Sequence, residues 1–266
     1  MGRANPVLID RIGRLIEAGP KDRPALIAVV GAQGSGKTTL ARAAAERFDG
    51  AQISIDDVYL TRAEREALAR DVHPMLVHRG PPGTHDLGLL NRLIDDLSAA
   101  GADDETLIPD FDKRGDDRWP VDRWRRFTGR PSAILIDAWC LAATPEADTA
   151  LAEPINALER DYDSDGRWRR WINAQVAGPY TDFMRRFDAV VFLQAPGFDV
   201  VLDWRCQQEA DLLGVDPADL PDHERERLTT FIQYFERITR HMLAGGIHAD
   251  VTAQLDGNRL PVSVAP

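Results

Sequence analysis

Cysteine is almost missing from this chain, which carries only Cys140 and Cys206 among its 266 residues. Two cysteines do not indicate a disulfide framework, and they fit a reducing cytoplasm. Long apolar runs are missing as well, because none approaches the roughly 20 residues that a membrane-spanning helix requires. We therefore expect a cytoplasmic protein with no membrane partner.

Positive charge is also scarce. The chain has 32 Lys and Arg against 43 Asp and Glu, which gives a formal net charge of −11. A field of this sign repels nucleic acid unless the cations are segregated into a patch, so we expect no nucleic-acid partner. The hydrophobic fraction of 44% is ordinary for a globular protein, and the length allows one large domain with insertions.

A complete phosphate-binding loop, G-x-x-x-x-G-K-[ST], occupies residues 31–38. It follows an apolar run and precedes strong helix formers, which is the strand–loop–helix context that the motif requires. Its glycines let the backbone approach a phosphate, and the N–H groups at the helix start can bind the anion. Lys37 supplies a positive charge, and the Thr38 hydroxyl can hold Mg²⁺. The residues that we expect to bind ATP are Gly31, Ala32, Gln33, Gly34, Ser35, Gly36, Lys37, Thr38 and Thr39.

Apolar periodicity divides the chain into alternating strands and helices. The predicted strands are residues 25–30, 51–55, 106–109, 133–136, 189–193 and 249–255. The predicted helices are residues 6–18, 37–48, 62–70, 87–97, 168–187, 199–213 and 221–243, with a break at Gly178-Pro179. Residues 112–130 are predicted to be an irregular loop and residues 153–166 a polar insertion. The alternation predicts a three-layer α/β fold of the P-loop NTPase type, with a mostly parallel central sheet flanked by helices.

The signatures of several nucleotide-driven machines are missing. No Asn-Lys-x-Asp guanine clamp of a GTPase is present, and Asp163-Ser164-Asp165-Gly166 does not follow a predicted strand. The strand at residues 133–136 leads into Asp137-Ala138-Trp139, without the second acid that motor and clamp ATPases usually carry. What remains is a small-molecule or nucleotide kinase, in which a carboxylate and a metal act on the acceptor hydroxyl.

Asp56 and Asp57 are the best candidates for that carboxylate. They follow the second predicted strand, and ligands of parallel sheets bind beyond the carboxyl ends of the strands. We favour Asp56 as the group that orients or deprotonates the acceptor hydroxyl, and Asp57 as a helix cap or salt-bridge partner. The alternative is that both residues merely cap the following segment.

Three segments carry a resemblance to a known family. They are residues 54–61 (Ser-Ile-Asp-Asp-Val-Tyr-Leu-Thr), 79–86 (Arg-Gly-Pro-Pro-Gly-Thr-His-Asp) and 108–113 (Ile-Pro-Asp-Phe-Asp-Lys). With residues 134–139 and 204–209, they resemble the plant-type D-glycerate 3-kinases, within the phosphoribulokinase, uridine kinase and pantothenate kinase group of P-loop kinases. The resemblance covers about residues 25–245 and implies ATP, Mg²⁺ and a small hydroxylated acceptor such as D-glycerate.

The resemblance also implies roles for individual residues. Asp56 corresponds to the general base, and Arg205 to an arginine of the lid helix; with Lys37 they form the expected catalytic set. Thr38 and Asp137 are implied to hold Mg²⁺. The family usually has Glu-Gly-Trp where this chain has Asp137-Ala138-Trp139, and this shorter carboxylate can reach the ion through water. The expected acceptor-binding residues are Tyr59, Arg79, His85, Asp86, Asp112 and Lys113.

Cations in the loops fit an anionic acceptor. Arg79, His85, Lys113, Arg114 and Arg118 all lie in non-periodic segments, where binding groups concentrate. An arginine can hold a carboxylate through two hydrogen bonds, which fixes orientation as well as charge. The alternative for each of them is a solvated loop charge.

Taken together, these patterns predict one kinase domain over residues 1–266. Acceptor-site loops at about residues 56–130 and a lid region at about residues 199–215 are expected within it. Two alternatives stay open, namely a kinase of the same group with a nucleoside, pantothenate-like or sugar-phosphate acceptor, and a non-catalytic ATP-binding regulatory module. The oligomeric state is not indicated by the sequence.

Overall fold

The computed structural model describes residues 4–265, and this part of the chain contains ten strands and nine α-helices. The strands are β1 (Ala25–Gly31), β2 (Ala51–Ser54), β3 (Glu105–Ile108), β4 (Phe111–Asp112), β5 (Asp117–Arg118), β6 (Arg125–Thr128), β7 (Ala133–Ala138), β8 (Ala189–Gln194), β9 (Val251–Leu255) and β10 (Pro261–Ala265). The helices are α1 (Pro6–Ala18), α2 (Lys37–Arg47), α3 (Arg62–Asp71), α4 (Leu87–Ala99), α5 (Ala157–Tyr162), α6 (Arg167–Gln175), α7 (Thr181–Met184), α8 (Asp199–Leu213) and α9 (Asp222–Leu243).

The central sheet has the strand order β10-β9-β8-β1-β7-β2. All neighbours from β9 to β2 pair in parallel, and β10 adds an antiparallel strand at the edge. Parallel strands with helical connections place their carboxyl ends at one edge of the sheet, where ligands bind in folds of this kind. The predicted sheet is therefore confirmed, whereas the edge strand β10 was missed.

Both faces of the sheet are covered, as the fully buried strand β1 shows. Leu26, Ala28 and Val30 pack on the side of α4, in a cluster that also holds Leu90 and Leu97. The alternate residues of β1, such as Ile27, pack on the opposite side against α1, α2 and α8. Alternation of side chains along a strand thus divides the core into two layers, and the predicted three-layer fold is confirmed.

The segment at residues 112–130 is not the irregular loop that its composition predicts. β4 and β5 form a short hairpin, in which Asp116 takes a positive φ of 56°. β6 then pairs antiparallel with β3 over four residues on each strand. The prediction was wrong because Arg125, Arg126 and Thr128 are exposed and give the strand no apolar alternation.

Residues 153–166, predicted to be a polar insertion, contain a helix and buried charged side chains. Helix α5 lies here, and the side chains of Glu159 and Asp163 are completely buried. Each is neutralised by an arginine: Arg237 donates two hydrogen bonds to Glu159, at 2.7 and 2.6 Å, and Arg169 donates one to Asp163 at 2.9 Å. Acids that are paired with arginines in this way can be buried in a core.

The predicted break in the helix at residues 168–187 is confirmed. α6 ends at Gln175, a wider turn covers residues 176–180, and α7 begins at Thr181. Pro179 lies within that turn, where its missing N–H interrupts the helical hydrogen bonds. Among residues 4–265, no helix is both long enough and apolar enough to cross a membrane.

Candidate active site

The phosphate-binding loop connects β1 to α2 in a conformation that depends on its glycines. Gly34 and Gly36 have positive φ values of 76° and 91°. A Cβ atom on Gly34 would lie 2.6 Å from the Cβ atom of Trp204, so α8 packs directly on the loop. No side chain caps the start of α2, which leaves its first N–H groups available to an anion.

Lys37 is placed to neutralise phosphate charge. Its Nζ atom lies 3.4 Å from the Ala32 carbonyl oxygen, inside the curve of the loop. Burial lowers the pKa of Lys37, and the nearby carboxylates of Asp56 and Asp137 oppose that effect. A phosphate group beside Lys37 would stabilise the charged ammonium further, as expected for a nucleotide site.

Thr38 and Asp137 meet at the carboxyl ends of β1 and β7. The Thr38 hydroxyl donates to Asp137 Oδ2 at 2.7 Å, the Gln52 amide to Oδ1 at 2.6 Å, and Ser54 to Oδ2 at 3.1 Å. Burial raises the pKa of Asp137, against Lys37 and the bonds from Thr38 and Gln52. Hydroxyl and carboxylate oxygens are hard donors, so this set fits Mg²⁺.

Gln52 and Ser54 were not predicted to belong to the site. They alternate with buried apolar residues along β2, so both side chains point to the same face, toward Asp137. This polar alternation within an otherwise apolar strand was the signal that sequence reasoning could have used. Because both oxygens of Asp137 already accept hydrogen bonds, water can mediate its contact with an ion.

Asp56 lies at the centre of the site. Ser54 starts the turn at Ile55–Val58 that carries it, and Tyr59 donates a hydrogen bond to Asp56 Oδ1 at 2.6 Å. Lys113 approaches Oδ2 to 3.5 Å. Burial opposes the charge of Asp56, but Lys113, Tyr59 and Lys37 outweigh it and lower its pKa to about 2. Asp56 is therefore ionised across the physiological range.

Asp57, the next residue, has a different environment. Its Oδ2 atom lies 3.6 Å from Arg125 on β6, as expected of a salt-bridge partner. Burial nevertheless raises its pKa to about 7, with Lys113 and Arg125 opposing the shift and Asp56 adding to it. Two adjacent carboxyl groups thus differ in protonation near neutral pH, a pattern that often separates functional roles.

The ring of His85 lies beside Tyr59, whose hydroxyl donates to Asp56. It stacks on Tyr59 with a centroid separation of 4.8 Å and an interplanar angle of 25°. Behind it, Arg118 donates to the Tyr59 carbonyl oxygen at 2.7 Å and lies 3.4 Å from Asp86 Oδ2. Asp86 also caps α4, because its Oδ1 atom accepts a hydrogen bond from Leu89 N–H at 2.8 Å. This oxygen therefore has a structural role.

Arg79 and Asp112 make their contacts at the hairpin of β4 and β5. Arg79 pairs with Asp116 and lies 5.5 Å from the centroid of Phe111, whose ring packs edge-on against Tyr59. Asp112 accepts from Arg114 N–H at 3.0 Å within its own turn. Both residues support the pocket wall, and their direct contact with an acceptor remains a prediction.

Arg205 extends from α8 toward the phosphate loop. It bonds to Gln208 and lies 3.3 Å from Glu209, in a half-buried position over the Phe231 ring. Burial lowers the pKa of Arg205, whereas Glu209 and Asp56 raise it. Within the described residues its Nε–H has no hydrogen-bond partner, which leaves a donor available on the face of α8 that the family resemblance assigns to the lid.

Arg259 was missed entirely. It lies in the turn between β9 and β10 and donates from Nε to the Gly34 carbonyl oxygen at 2.6 Å. Its Nη1 atom donates to Gln207 at 2.7 Å, and its guanidinium lies 5.1 Å from the centroid of the Trp204 ring. It therefore joins the phosphate loop to α8. No sequence pattern indicated this, because the contact spans 225 residues.

One cluster outside the site has metal-like composition. Potential ligand atoms of His73, Asp163 and Asp165 lie within 4.8 Å of one another. His73 Nδ1 already accepts from Met75 N–H at 3.3 Å, and Asp163 accepts from Trp168 N–H at 2.7 Å as well as from Arg169. These hydrogen bonds account for the positions of His73 and Asp163 as structural residues.

Comparisons with known proteins bear on the fold. No family model matches the chain. It is 27% identical to "Uncharacterized kinase mug58" of Schizosaccharomyces pombe, over 96% of this chain and 97% of that protein.

Two solved structures superpose on nearly the whole chain. For D-glycerate 3-kinase from Cryptococcus neoformans var. grubii, the TM-score is 0.72 at 22% identity, covering 97% of this chain and 96% of that one. For the YGR205w protein, it is 0.68 at 23% identity, covering 97% and 95%. The chain therefore has the fold of the P-loop kinases, and the structures on which it superposes include a D-glycerate 3-kinase, as the resemblance predicted.

Proposed function

We propose that this chain is an ATP-dependent small-molecule kinase that transfers the γ-phosphoryl group to a hydroxyl of D-glycerate. The observation that carries the proposal is the position of Asp56, an ionised carboxylate 3.5 Å from Lys113 and coupled electrostatically to Lys37 of the phosphate loop. A regulatory switch needs no carboxylate at this position, whereas a phosphoryl acceptor does.

In the proposed mechanism, Lys37 and the loop N–H groups bind the phosphates of ATP. Thr38 and Asp137 would hold Mg²⁺, which would neutralise charge on the β- and γ-phosphates. Asp56 accepts a hydrogen bond from the acceptor hydroxyl and aims it at the γ-phosphorus atom. A pKa of about 2 makes Asp56 a weak base, but a loose transfer needs orientation more than early deprotonation. Arg205 would stabilise charge on the transferring group.

The acceptor is proposed to be a small acid because cations line the pocket. Lys113 and Arg118 lie on the hairpin beside Asp56 and Tyr59, and the Lys113 side chain is 58% exposed. An acceptor carboxylate could replace Asp56 as the partner of Lys113 while its hydroxyl binds Asp56. Similarity to a structure named D-glycerate 3-kinase supports this choice of acid. The acceptor-site loops at about residues 56–130 and the lid at about residues 199–215 are proposed on the same basis.

The test is ADP formation with MgATP and a panel of acceptors, namely D-glycerate, L-glycerate, pantothenate, uridine, ribulose 5-phosphate and none. We expect a rate that depends on D-glycerate. Asp56→Asn should lower it by about 100-fold or more, the usual scale for a positioned acid or base, while ATP binding survives. Asp182→Asn, at an exposed carboxylate of α7, is the matched control and should leave the rate unchanged.

Each other result has a definite meaning. A rate with another acceptor would keep the kinase mechanism and replace the substrate. ATP binding without transfer to any acceptor would favour the regulatory module. Near-normal turnover in Asp56→Asn would remove Asp56 from the mechanism, whatever the acceptor.

A further inference from the structure

His85 is enclosed but incompletely hydrogen-bonded. Its side chain is buried, its ring lies between Tyr59 and Tyr180, and its Nδ1 atom is 2.5 Å from the Tyr180 hydroxyl oxygen. Among residues 4–265, the Nε2 atom has no hydrogen-bond partner, although it is shielded from solvent. A buried polar atom without a hydrogen-bond partner is unfavourable in a folded protein, so this atom suggests a ligand contact.

The hydroxyl of Tyr180 determines which ring nitrogen carries the proton. Gly83 N–H donates to this oxygen at 3.0 Å, so the hydroxyl proton is directed elsewhere. A buried hydroxyl proton needs an acceptor, and among residues 4–265 His85 Nδ1 is the one acceptor within reach of the Tyr180 hydroxyl, so Nδ1 accepts. A neutral imidazole that accepts at Nδ1 carries its proton on Nε2.

The burial of both groups agrees with this proton count. Burial raises the pKa of Tyr180 well above its ordinary value, so the phenol keeps its proton. Burial also lowers the pKa of His85 to about 4, against the attraction of Asp56, so the ring is neutral at pH 7. With the phenol protonated and the ring neutral, Nε2–H is a donor.

We propose that Tyr180 is a positioning residue that holds His85 as the Nε2–H tautomer, and that this N–H donates a hydrogen bond to an oxygen atom of the acceptor. The second part rests on the proposed function. The pocket would thereby select acceptors that present a carboxylate or hydroxyl oxygen beside the Tyr59–His85 stack. A molecule with a methyl group at that point would leave Nε2–H unpaired and be rejected.

Access to Nε2 requires a small rearrangement when the acceptor enters. Lys113 lies 3.5 Å from Asp56 Oδ2 with a side chain that is 58% exposed, so it can turn from Asp56 toward an entering acceptor oxygen.

The tautomer can be measured without any turnover. Long-range ¹H–¹⁵N spectra of the ¹⁵N-labelled full chain distinguish a protonated ring nitrogen from an unprotonated one, and His85→Gln assigns the signals. We expect a neutral ring with unprotonated Nδ1 and protonated Nε2 at pH 7. Tyr180→Phe should shift the ring toward a mixture of tautomers. A wild-type ring protonated on Nδ1, or on both nitrogens, would overturn the first part.

The acceptor contact is tested by kinetics with D-glycerate and MgATP. His85→Leu should raise KM for D-glycerate by about 10- to 100-fold, the loss expected for a hydrogen bond to a charged group, with KM for ATP unchanged. In His85→Gln the amide N–H can approach the position of Nε2, so KM for D-glycerate should rise less than in His85→Leu. If His85→Leu does not fold, Tyr180→Phe replaces it in this kinetic test, because that substitution removes only one oxygen atom.

The controls separate this inference from the function. His223→Leu, at an exposed histidine of α9, should change neither KM value. Equal effects of His85→Leu on both KM values, or no effect on either, would overturn the acceptor contact. If D-glycerate is not phosphorylated but the Nε2–H tautomer is observed, then the proposed substrate fails while the role of Tyr180 stands.

Discussion

Replacement of Asp57 by asparagine tests the electrostatic description of the site. Asp57 is 17% exposed and lies beside Asp56, with Arg125 3.6 Å away. Its pKa is raised from 3.8 to about 7, because burial penalises the carboxylate more than Lys113 and Arg125 stabilise it. Asparagine has similar volume and no titration, so the variant removes this one source of pH dependence.

The raised pKa determines how the contribution of Asp57 to stability changes with pH. In the folded protein Asp57 holds its proton up to about pH 7, whereas the unfolded chain releases it near pH 3.8. Its contribution to the free energy of unfolding is therefore fully present below about pH 3.8 and is lost as the pH rises through 7. At 1.36 kcal/mol per pKa unit, the loss amounts to about 4 kcal/mol.

The assay is urea unfolding of wild type and Asp57→Asn, followed by tryptophan fluorescence between pH 4 and pH 8.5. As the pH rises from 4 to 8.5, the free energy of unfolding of the variant should increase by about 4 kcal/mol relative to that of wild type. The change should be steepest between pH 5 and 7. Asp182→Asn, at a carboxylate 67% exposed, should give a profile parallel to wild type. Parallel profiles for Asp57→Asn would refute the reasoning, since they would show that Asp57 ionises alike in both states.

The remaining predictions concern the nucleotide site and a buried ion pair. Lys37→Ala should abolish ATP binding and turnover together, measured by calorimetry and ADP formation; retention of both would mean that the loop is not the site. Arg259→Met should weaken ATP binding by about fivefold, through loss of its bond to the loop carbonyl, with KM for D-glycerate unchanged; equal loss in both would contradict a role in the loop. Arg237→Met should lower the free energy of unfolding by about 3–5 kcal/mol, because it leaves Glu159 buried and unpaired. The double variant with Glu159→Leu should recover most of that loss in chemical unfolding, and a failure to recover would point to packing instead.

The parallel core was predictable because its signals are local. β1, β7 and β8 are continuous apolar runs, and α8 ends at Gly214, whose positive φ of 70° terminates it as expected. β6 was not predictable, since its exposed residues carry no apolar pattern, and β10 was missed because it is a five-residue edge strand whose alternating Val262 and Val264 are not buried. Such strands are defined by their hydrogen bonds to an adjacent strand, and the sequence does not indicate which strand that is.

The same distinction applies to the site. The phosphate loop is one contiguous motif, and its chemistry can be derived from residues 31–38 alone. Tyr180 reaches His85 across 95 residues, and Arg259 reaches Gly34 across 225. Residues of this kind have ordinary neighbours in the sequence, and folding alone brings them to the site.

The contrast between Asp56 and Asp57 shows why position along the chain does not fix chemical role. The two residues share a turn, and Lys113 lowers the pKa of both, yet only Asp56 also receives the Tyr59 hydrogen bond and the field of Lys37, and its pKa falls to about 2. Asp57 faces Arg125 across a longer gap and keeps its proton to about pH 7. If the acceptor is an acid, then ionisation of Asp57 adds a repulsive charge nearby, and KM for D-glycerate should rise above pH 7. Asp57→Asn should flatten that rise without lowering turnover at pH 6, whereas loss of turnover there would make Asp57, not Asp56, the carboxyl group that acts on the hydroxyl.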